Sequence, residues 1–142
     1  MAHRSNTELV AHVVWAVKLR SAVLDEADDV RRSEVFAQKA SELGGMVLAA
    51  GCASDHVHVL VRYPASVPLS KVVQRMKGAS SRAHDQDAAN TVMRWQNGYW
   101  ARSCAPDDLE GIRAYVLHQR DRVELLSDDG SICLVSPHDA QV

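Results

Sequence analysis

Asp55-His56-Val57-His58-Val59-Leu60-Val61 decides how this chain is read. Apart from its first residue and its two histidines the run is apolar, three valines and Leu60, so it reads as a strand. Side chains alternate faces along a strand. His56 and His58 therefore point one way, and Val57, Val59 and Val61 point the other, into a core. Two imidazoles side by side on one sheet face make a pair of metal ligands or a pair of phosphate-facing groups. In the plainest reading they are ordinary half-exposed strand residues. Asp55 reads first as a hairpin turn residue, and second as a carboxylate that orients an imidazole.

Outward from this run the pattern continues. Residues 46–52 form another strand, separated from the first only by Ala53, Ser54 and Asp55, so the two make an antiparallel hairpin. Residues 9–17, rich in valine and holding Trp15, read as a buried strand, and residues 18–22 as a basic connector. Asp25, Glu26, Asp28 and Asp29 suit the first turns of a helix, where carboxylates meet the positive end of the dipole. Phe36, Ala40 and Leu43 recur at helical spacing, and Gly44-Gly45 stops that helix. Pro68 suits the first turn of a second helix, whose inner face carries Leu69, Val72, Val73 and Met76. Residues 82–92 are polar and read as a loop. Residues 94–104, with Trp95, Tyr99 and Trp100, read as a fourth strand, irregular at Asn97-Gly98. Pro106, Asp107 and Asp108 open a last helix with Leu109, Ile112 and Val116 inside. The order β-α-β-β-α-β-α is an α+β pattern: a ferredoxin-like βαββαβ unit with an antiparallel sheet, plus a C-terminal helix. Both early helices then cover one face of the sheet. The other face is left to a ligand, a partner or the last helix.

The 142 residues suit one domain, with a core over about 9–126 and a polar, acidic tail at 127–142. The hydrophobic fraction of 46% is enough for a packed interior. Sixteen Lys and Arg against eighteen Asp and Glu give a formal charge of −2, which argues mildly against nucleic-acid binding. Cys52, Cys104 and Cys133 are far apart and odd in number, which fits reduced cytosolic thiols rather than a disulfide framework or a zinc ribbon. The N-terminus shows no basic segment followed by an apolar one. No apolar run approaches about 18 residues. The expectation is a cytoplasmic protein that does not enter a membrane.

On the last helix, Tyr115 and Gln119 are four residues apart and share one side, and Arg122 continues that row. This stripe is displaced from Leu109, Ile112 and Val116, so it is placed to face a cleft. The bland alternative is a tyrosine that fills an interface.

In combination these stretches resemble the single-tyrosine HUH transposases of minimal bacterial insertion sequences, and most closely the branch of REP-associated tyrosine transposases. The likeness is carried by residues 11–18, by the His-x-His strand at 55–61, by the basic second helix with Lys77-Gly78-Ala79-Ser80-Ser81-Arg82, by Trp95-Gln96-Asn97-Gly98-Tyr99-Trp100, and by Tyr115-Val116-Leu117-His118-Gln119. It runs from about residue 9 to residue 123. The resemblance implies that Tyr115, on the C-terminal helix, is the nucleophile. It would attack a DNA phosphodiester, leaving a 5′-phosphotyrosine and a 3′-hydroxyl. It implies that His56 and His58 hold one divalent metal, with Gln119 as third ligand. From the residues alone His118 competes with Gln119 for that place. Two imidazoles and an amide oxygen suit Mg²⁺ or Mn²⁺. Single-stranded DNA folded as a hairpin is the implied substrate. A homodimer is the implied assembly, with the Tyr115 helix completing its own histidine pair or its partner's. One departure is that Arg122-Val123 stands where this branch often carries paired histidines.

Lys71, Arg75, Lys77 and Arg82 give the second helix a basic bias, and Lys18 and Arg20 follow the first strand. These six are candidate phosphate contacts. Trp95, Tyr99 and Trp100 are candidates either for stacking on unpaired bases or for the core. Two other functions compete with strand transfer: a catalytically silent hairpin-DNA-binding dimer descended from such a transposase, and a small-molecule or metal-binding dimer with no nucleic-acid role.

Overall fold

The computed structural model describes residues 7–87 and 92–121. The tail at 127–142, the end of the expected core, Arg122 and Cys133 lie outside the described residues.

Four strands form one antiparallel sheet: β1 (Leu9–Ala16), β2 (Met46–Cys52), β3 (His56–Tyr63) and β4 (Trp100–Ser103). Their order across the sheet is β2-β3-β1-β4. Three α-helices accompany them: α1 (Asp29–Glu42), α2 (Leu69–Gln86) and α3 (Leu109–Leu117). This is the expected α+β architecture with a four-stranded antiparallel sheet.

The central strands β1 and β3 are buried on both faces. Ala11, Val13, Trp15, Val57, Val59 and Val61 pack with Phe36 and Ala40 of α1 and with Val72, Val73 and Met76 of α2. On the other face Val10, Ala49 and Leu60 pack with Tyr115 and Val116 of α3. The last helix therefore takes the face that the two early helices leave open.

Two element boundaries differ from expectation. Residues 82–86 continue α2 rather than forming a loop. The inner stripe does persist there, but as Ser80 and His84, one helical repeat apart. Polar residues at core-facing positions hide the period. Ser80 donates its hydroxyl to the Met76 carbonyl at 2.7 Å, and Arg31 of α1 donates to the Ala83 carbonyl at 2.9 Å. The fourth strand is shorter than residues 94–104. Trp95 makes one isolated bridge to Val17, and the ladder resumes only at Trp100. Between them Gly98 takes a positive φ, and the Lys77 ammonium donates to the carbonyls of Gln96 and Gly98 at 2.9 and 3.0 Å. A side chain satisfies these carbonyls in place of a neighbouring strand.

One irregularity in β2 sets up the site. The pairing with β3 passes from Val47 opposite Val61 to Ala49 opposite Leu60, so Leu48 is an extra residue. Downstream of this bulge Gly51 lies opposite His58. Regular pairing would have put Ala50 there, because a one-residue slip exchanges the two faces.

Among the described residues no helix is long and apolar enough to cross a membrane.

Candidate active site

β3 presents His56 and His58 on the face that α3 covers, their ring centroids 5.1 Å apart. Their alternation with the core valines is as expected. Their exposure is not: His56 is 3% exposed and His58 is fully buried. The plainest reading, of half-exposed strand histidines, is thereby corrected. α3 lies across this part of the sheet and closes over the imidazoles.

Gly51 explains how α3 comes so close. A Cβ at this position would collide with the Val116 carbonyl oxygen and would stand 3.3 Å from Gln119 Cγ. The glycine lets the helix backbone rest on β2. That contact seats Tyr115 with its ring centroid 5.5 Å from His58, edge to face. Tyr115 is 3% exposed.

Gln119 lies just past α3, in the short 3-10 turn Gln119–Asp121. Its amide nitrogen donates to the Tyr115 carbonyl at 2.8 Å. Its Oε1 is buried and accepts no hydrogen bond among the described residues. His118 is exposed. The geometry brings Gln119, not His118, to the imidazoles' side of the helix.

Each imidazole has its Nδ1 engaged from outside. Asp55 Oδ1 stands 2.7 Å from His56 Nδ1. Arg20 in turn donates from Nε to Asp55 Oδ2 at 2.9 Å. Asp55 thus fills both roles open to it, turn residue and orienting carboxylate. Burial pushes its pKa up, but hydrogen bonds from Arg20 and His56, with their charges, leave it below the ordinary value of 3.8. Arg20 is held in a left-handed conformation, φ 55°, directly after Leu19 at φ 60°. Such strain persists only where surrounding bonds fix it. Here Val17 N–H donates to the Asp55 carbonyl and Lys18 N–H to the Arg94 carbonyl, each at 2.8 Å. His58 Nδ1 lies 2.9 Å from Nε2 of His12, on β1.

Sequence reasoning left His12, Gly51 and Arg120 without roles. His12 stands in a strand buried on both faces, and its one signal is a polar residue at an inward register. Gly51 gives a signal only once the path of α3 is known. Arg120 bonds Asp29 with Nε at 2.7 Å and Nη2 at 2.8 Å, and the Leu24 carbonyl at 3.0 Å, tying the end of α3 to the start of α1.

The six candidate phosphate contacts separate. Lys71, Arg75 and Arg82 are exposed on α2, on the far side of the sheet from the imidazoles. Lys77 is engaged with the Gln96 and Gly98 carbonyls, and burial lowers its pKa. Arg20 is engaged with Asp55. Lys18 is exposed beside it. Of the aromatics, Trp95 packs against Trp15 at 5.9 Å, and Trp100 lies edge-on to His12 at 5.5 Å with the Arg102 guanidinium over its ring.

Among the described residues no three His, Cys, Asp or Glu side chains gather as a ligand cluster. The donor set here has another composition: two imidazoles and an amide oxygen. Among the described residues the buried Gln119 Oε1 accepts no hydrogen bond, which is costly unless a donor or a cation meets it. The set fits a hard or borderline divalent cation.

A sequence profile described as transposase, IS200-like, matches residues 5–119. No curated protein matches the chain. Among solved structures, a candidate transposase from Deinococcus radiodurans R1 shares the fold with a TM-score of 0.63 at 21% identity, over 84% of this chain and 97% of that one. A REP-associated tyrosine transposase bound to a REP hairpin shares it with a TM-score of 0.59 at 12% identity, over 82% of this chain and 70% of that one. The profile match spans most of the chain, on a fold that both structures share, and this chain belongs to the family of IS200-like transposases.

Proposed function

We propose that this transposase cleaves and rejoins single-stranded DNA through a 5′-phosphotyrosine on Tyr115, with His56, His58 and Gln119 as ligands for one Mg²⁺ or Mn²⁺. The observation that supports this is the burial of four side chains between β3 and α3 with its following turn: the His58 ring centroid lies 5.1 Å from that of His56 and 5.5 Å from that of Tyr115, and Gln119 lies against Gly51, the register partner of His58. Among the described residues the buried Gln119 Oε1 accepts no hydrogen bond, and a buried acceptor left that way is expensive unless it meets a ligand.

In the reaction the Tyr115 phenol oxygen bonds to phosphorus and the bond from phosphorus to the 3′ oxygen breaks. The phenol proton is lost and a 3′-hydroxyl is released, so protons balance. One phosphodiester replaces another, so rejoining needs no nucleotide cofactor. A phenol has an ordinary pKa near 10 and is a poor nucleophile at neutral pH. A bound divalent cation supplies charge neutralisation on the non-bridging phosphate oxygens. His56 and His58, oriented through Nδ1, present their remaining nitrogens. Gln119 fixes the last turn against Tyr115 through its amide. Because all four side chains are buried, a phosphodiester reaches them only when α3 lifts from β2 and β3.

The DNA partner is proposed as a hairpin with a single-stranded flank, and the assembly as a homodimer. The stem would lie along the exposed cations of α2, Lys71, Arg75 and Arg82, with Lys18 nearer the imidazoles. Such a path carries the strand around an edge of the sheet.

The test is incubation of labelled single-stranded hairpin DNA with the protein and Mn²⁺. A covalent adduct is expected with the wild-type chain. It disappears in Tyr115→Phe and on addition of EDTA, while binding to the hairpin survives both. Hairpin binding with no adduct in the wild type would instead identify a silent DNA-binding protein.

A further inference from the structure

We propose that His12 is a positioning residue: it accepts the Nδ1–H of His58 and so fixes the tautomer in which His58 offers Nε2 to a divalent cation. The inference rests on His58 being a ligand, as proposed above, and extends it to a residue on another strand.

His12 and His58 are diagonal neighbours on one face of the two central strands, His12 opposite Leu60 and His58 opposite Val14. Their rings are stacked at 28°, centroids 5.1 Å apart, with His12 Nε2 at 2.9 Å from His58 Nδ1. Both are buried. β1 and β3 are adjacent and paired over eight residues, which fixes the spacing of the two backbones that carry the rings. At 2.9 Å a proton must lie between the two nitrogens. If His12 donates it, His58 Nδ1 is the acceptor, so the neutral His58 ring carries its single N–H proton on Nε2 and has no lone pair there for a metal. If His58 donates it, Nε2 is a ligand. Only the second arrangement serves the proposed chemistry. It requires neutral His12 to carry its own proton on Nδ1.

The same logic operates on His56 with a different partner. There the acceptor is Asp55, a carboxylate that has no proton to give back and that Arg20 holds in place. A carboxylate fixes the tautomer by itself. An imidazole does not, so the environment of His12 must choose. Trp100 lies edge-on to the His12 ring at 5.5 Å and Tyr115 at 6.0 Å, which together hold the ring's plane. The two ligands are therefore inequivalent: one is oriented by a carboxylate that an arginine holds, the other by an imidazole that accepts its Nδ1–H. Outer partners of this kind are worth about 10–100-fold in metal affinity elsewhere.

The experiment measures Mn²⁺ binding to the full chain by calorimetry for wild type, His12→Gln and His12→Leu, alongside their melting temperatures. Gln places an amide oxygen near the position of Nε2 and retains an acceptor. Leu fills similar space and offers none. The expected result is wild-type-like affinity for Gln, and an affinity for Leu that is lower by about tenfold or more at a melting temperature matching that of Gln. A purely structural His12 would move melting temperature and affinity together, or leave affinity alone. Nitrogen-15 chemical shifts of the wild-type histidines supply a measurement that needs no variant: His58 is expected protonated on Nδ1. Wild-type Mn²⁺ binding with an unaffected Leu variant, or an Nε2-protonated His58, overturns the role of His12. A wild type that binds no Mn²⁺ overturns the metal reading itself, and the role of His12 with it.

Discussion

His56 is the residue whose environment most changes what a mutation will report. It is buried and bonded to Asp55, which is bonded to Arg20. Truncating it to Ala leaves the Asp55 carboxylate short of a partner and a small void behind. The expected cost is about 1–3 kcal/mol, read as a lowered denaturation midpoint. Lost cleavage in His56→Ala is therefore ambiguous. His56→Gln, which retains volume and hydrogen-bonding capacity, separates chemistry from folding: cleavage should be lost with a midpoint near that of wild type. A His56→Gln chain that still forms the covalent adduct at the wild-type rate would remove His56 from the ligand set. The facing of His56 and His58 was legible in the sequence because alternation in a strand is strict. Their burial was not, because it depends on where a helix some fifty residues later comes to rest. The choice between His118 and Gln119 was open for the same reason. Sequence spacing puts both near Tyr115, and only the docking of α3 turns one inward.

At the scale of elements, the contact between α3 and β2 governs the site. Gly51→Ala drives a methyl group into the Val116 carbonyl. Backbone cannot step aside as a side chain can, so the helix must shift. The expected cost is about 1–3 kcal/mol, with cleavage falling further than DNA binding. Gly78, in the middle of α2, has open space where its Cβ would be. Gly78→Ala should stabilise the protein by about 0.5–1 kcal/mol, raising the melting temperature. The pair makes an internal control, the same substitution with opposite signs, and a stable Gly51→Ala chain with full activity would show that α3 sits elsewhere in solution. Element existence was largely readable: β2 coincides with its apolar run, and β3 follows its own and continues through Arg62 to Tyr63. The errors fall where polar side chains do structural jobs. Ser80 and His84 extend α2 under a polar disguise, and Lys77 bonds to carbonyls that a continuous fourth strand would otherwise have paired.

Across the whole molecule, charge and connection matter most. The formal charge is −2, yet Lys71, Arg75 and Arg82 gather on the outer face of one helix. If they meet phosphates, replacing any one by Gln should weaken hairpin binding by a similar factor for every sequence and reduce the slope of log K against log salt by about one. Unchanged slopes would place the stem elsewhere. The link between Arg120 and Asp29 joins residues far apart in the chain and ties the end of α3 to the start of α1. Arg120→Met and Asp29→Asn, combined in a double-mutant cycle, should show coupling of about 1 kcal/mol in stability. Coupling near zero would mean that the pair does not restrain α3. The order in which these parts occur along the chain has one more consequence. Histidines 12, 56 and 58 emerge from the ribosome well before the phenol at 115 and the amide at 119. A nascent or prematurely terminated polypeptide can therefore own every imidazole of the centre and still lack the phenol proposed as the nucleophile, which is among the last of these groups to be synthesised.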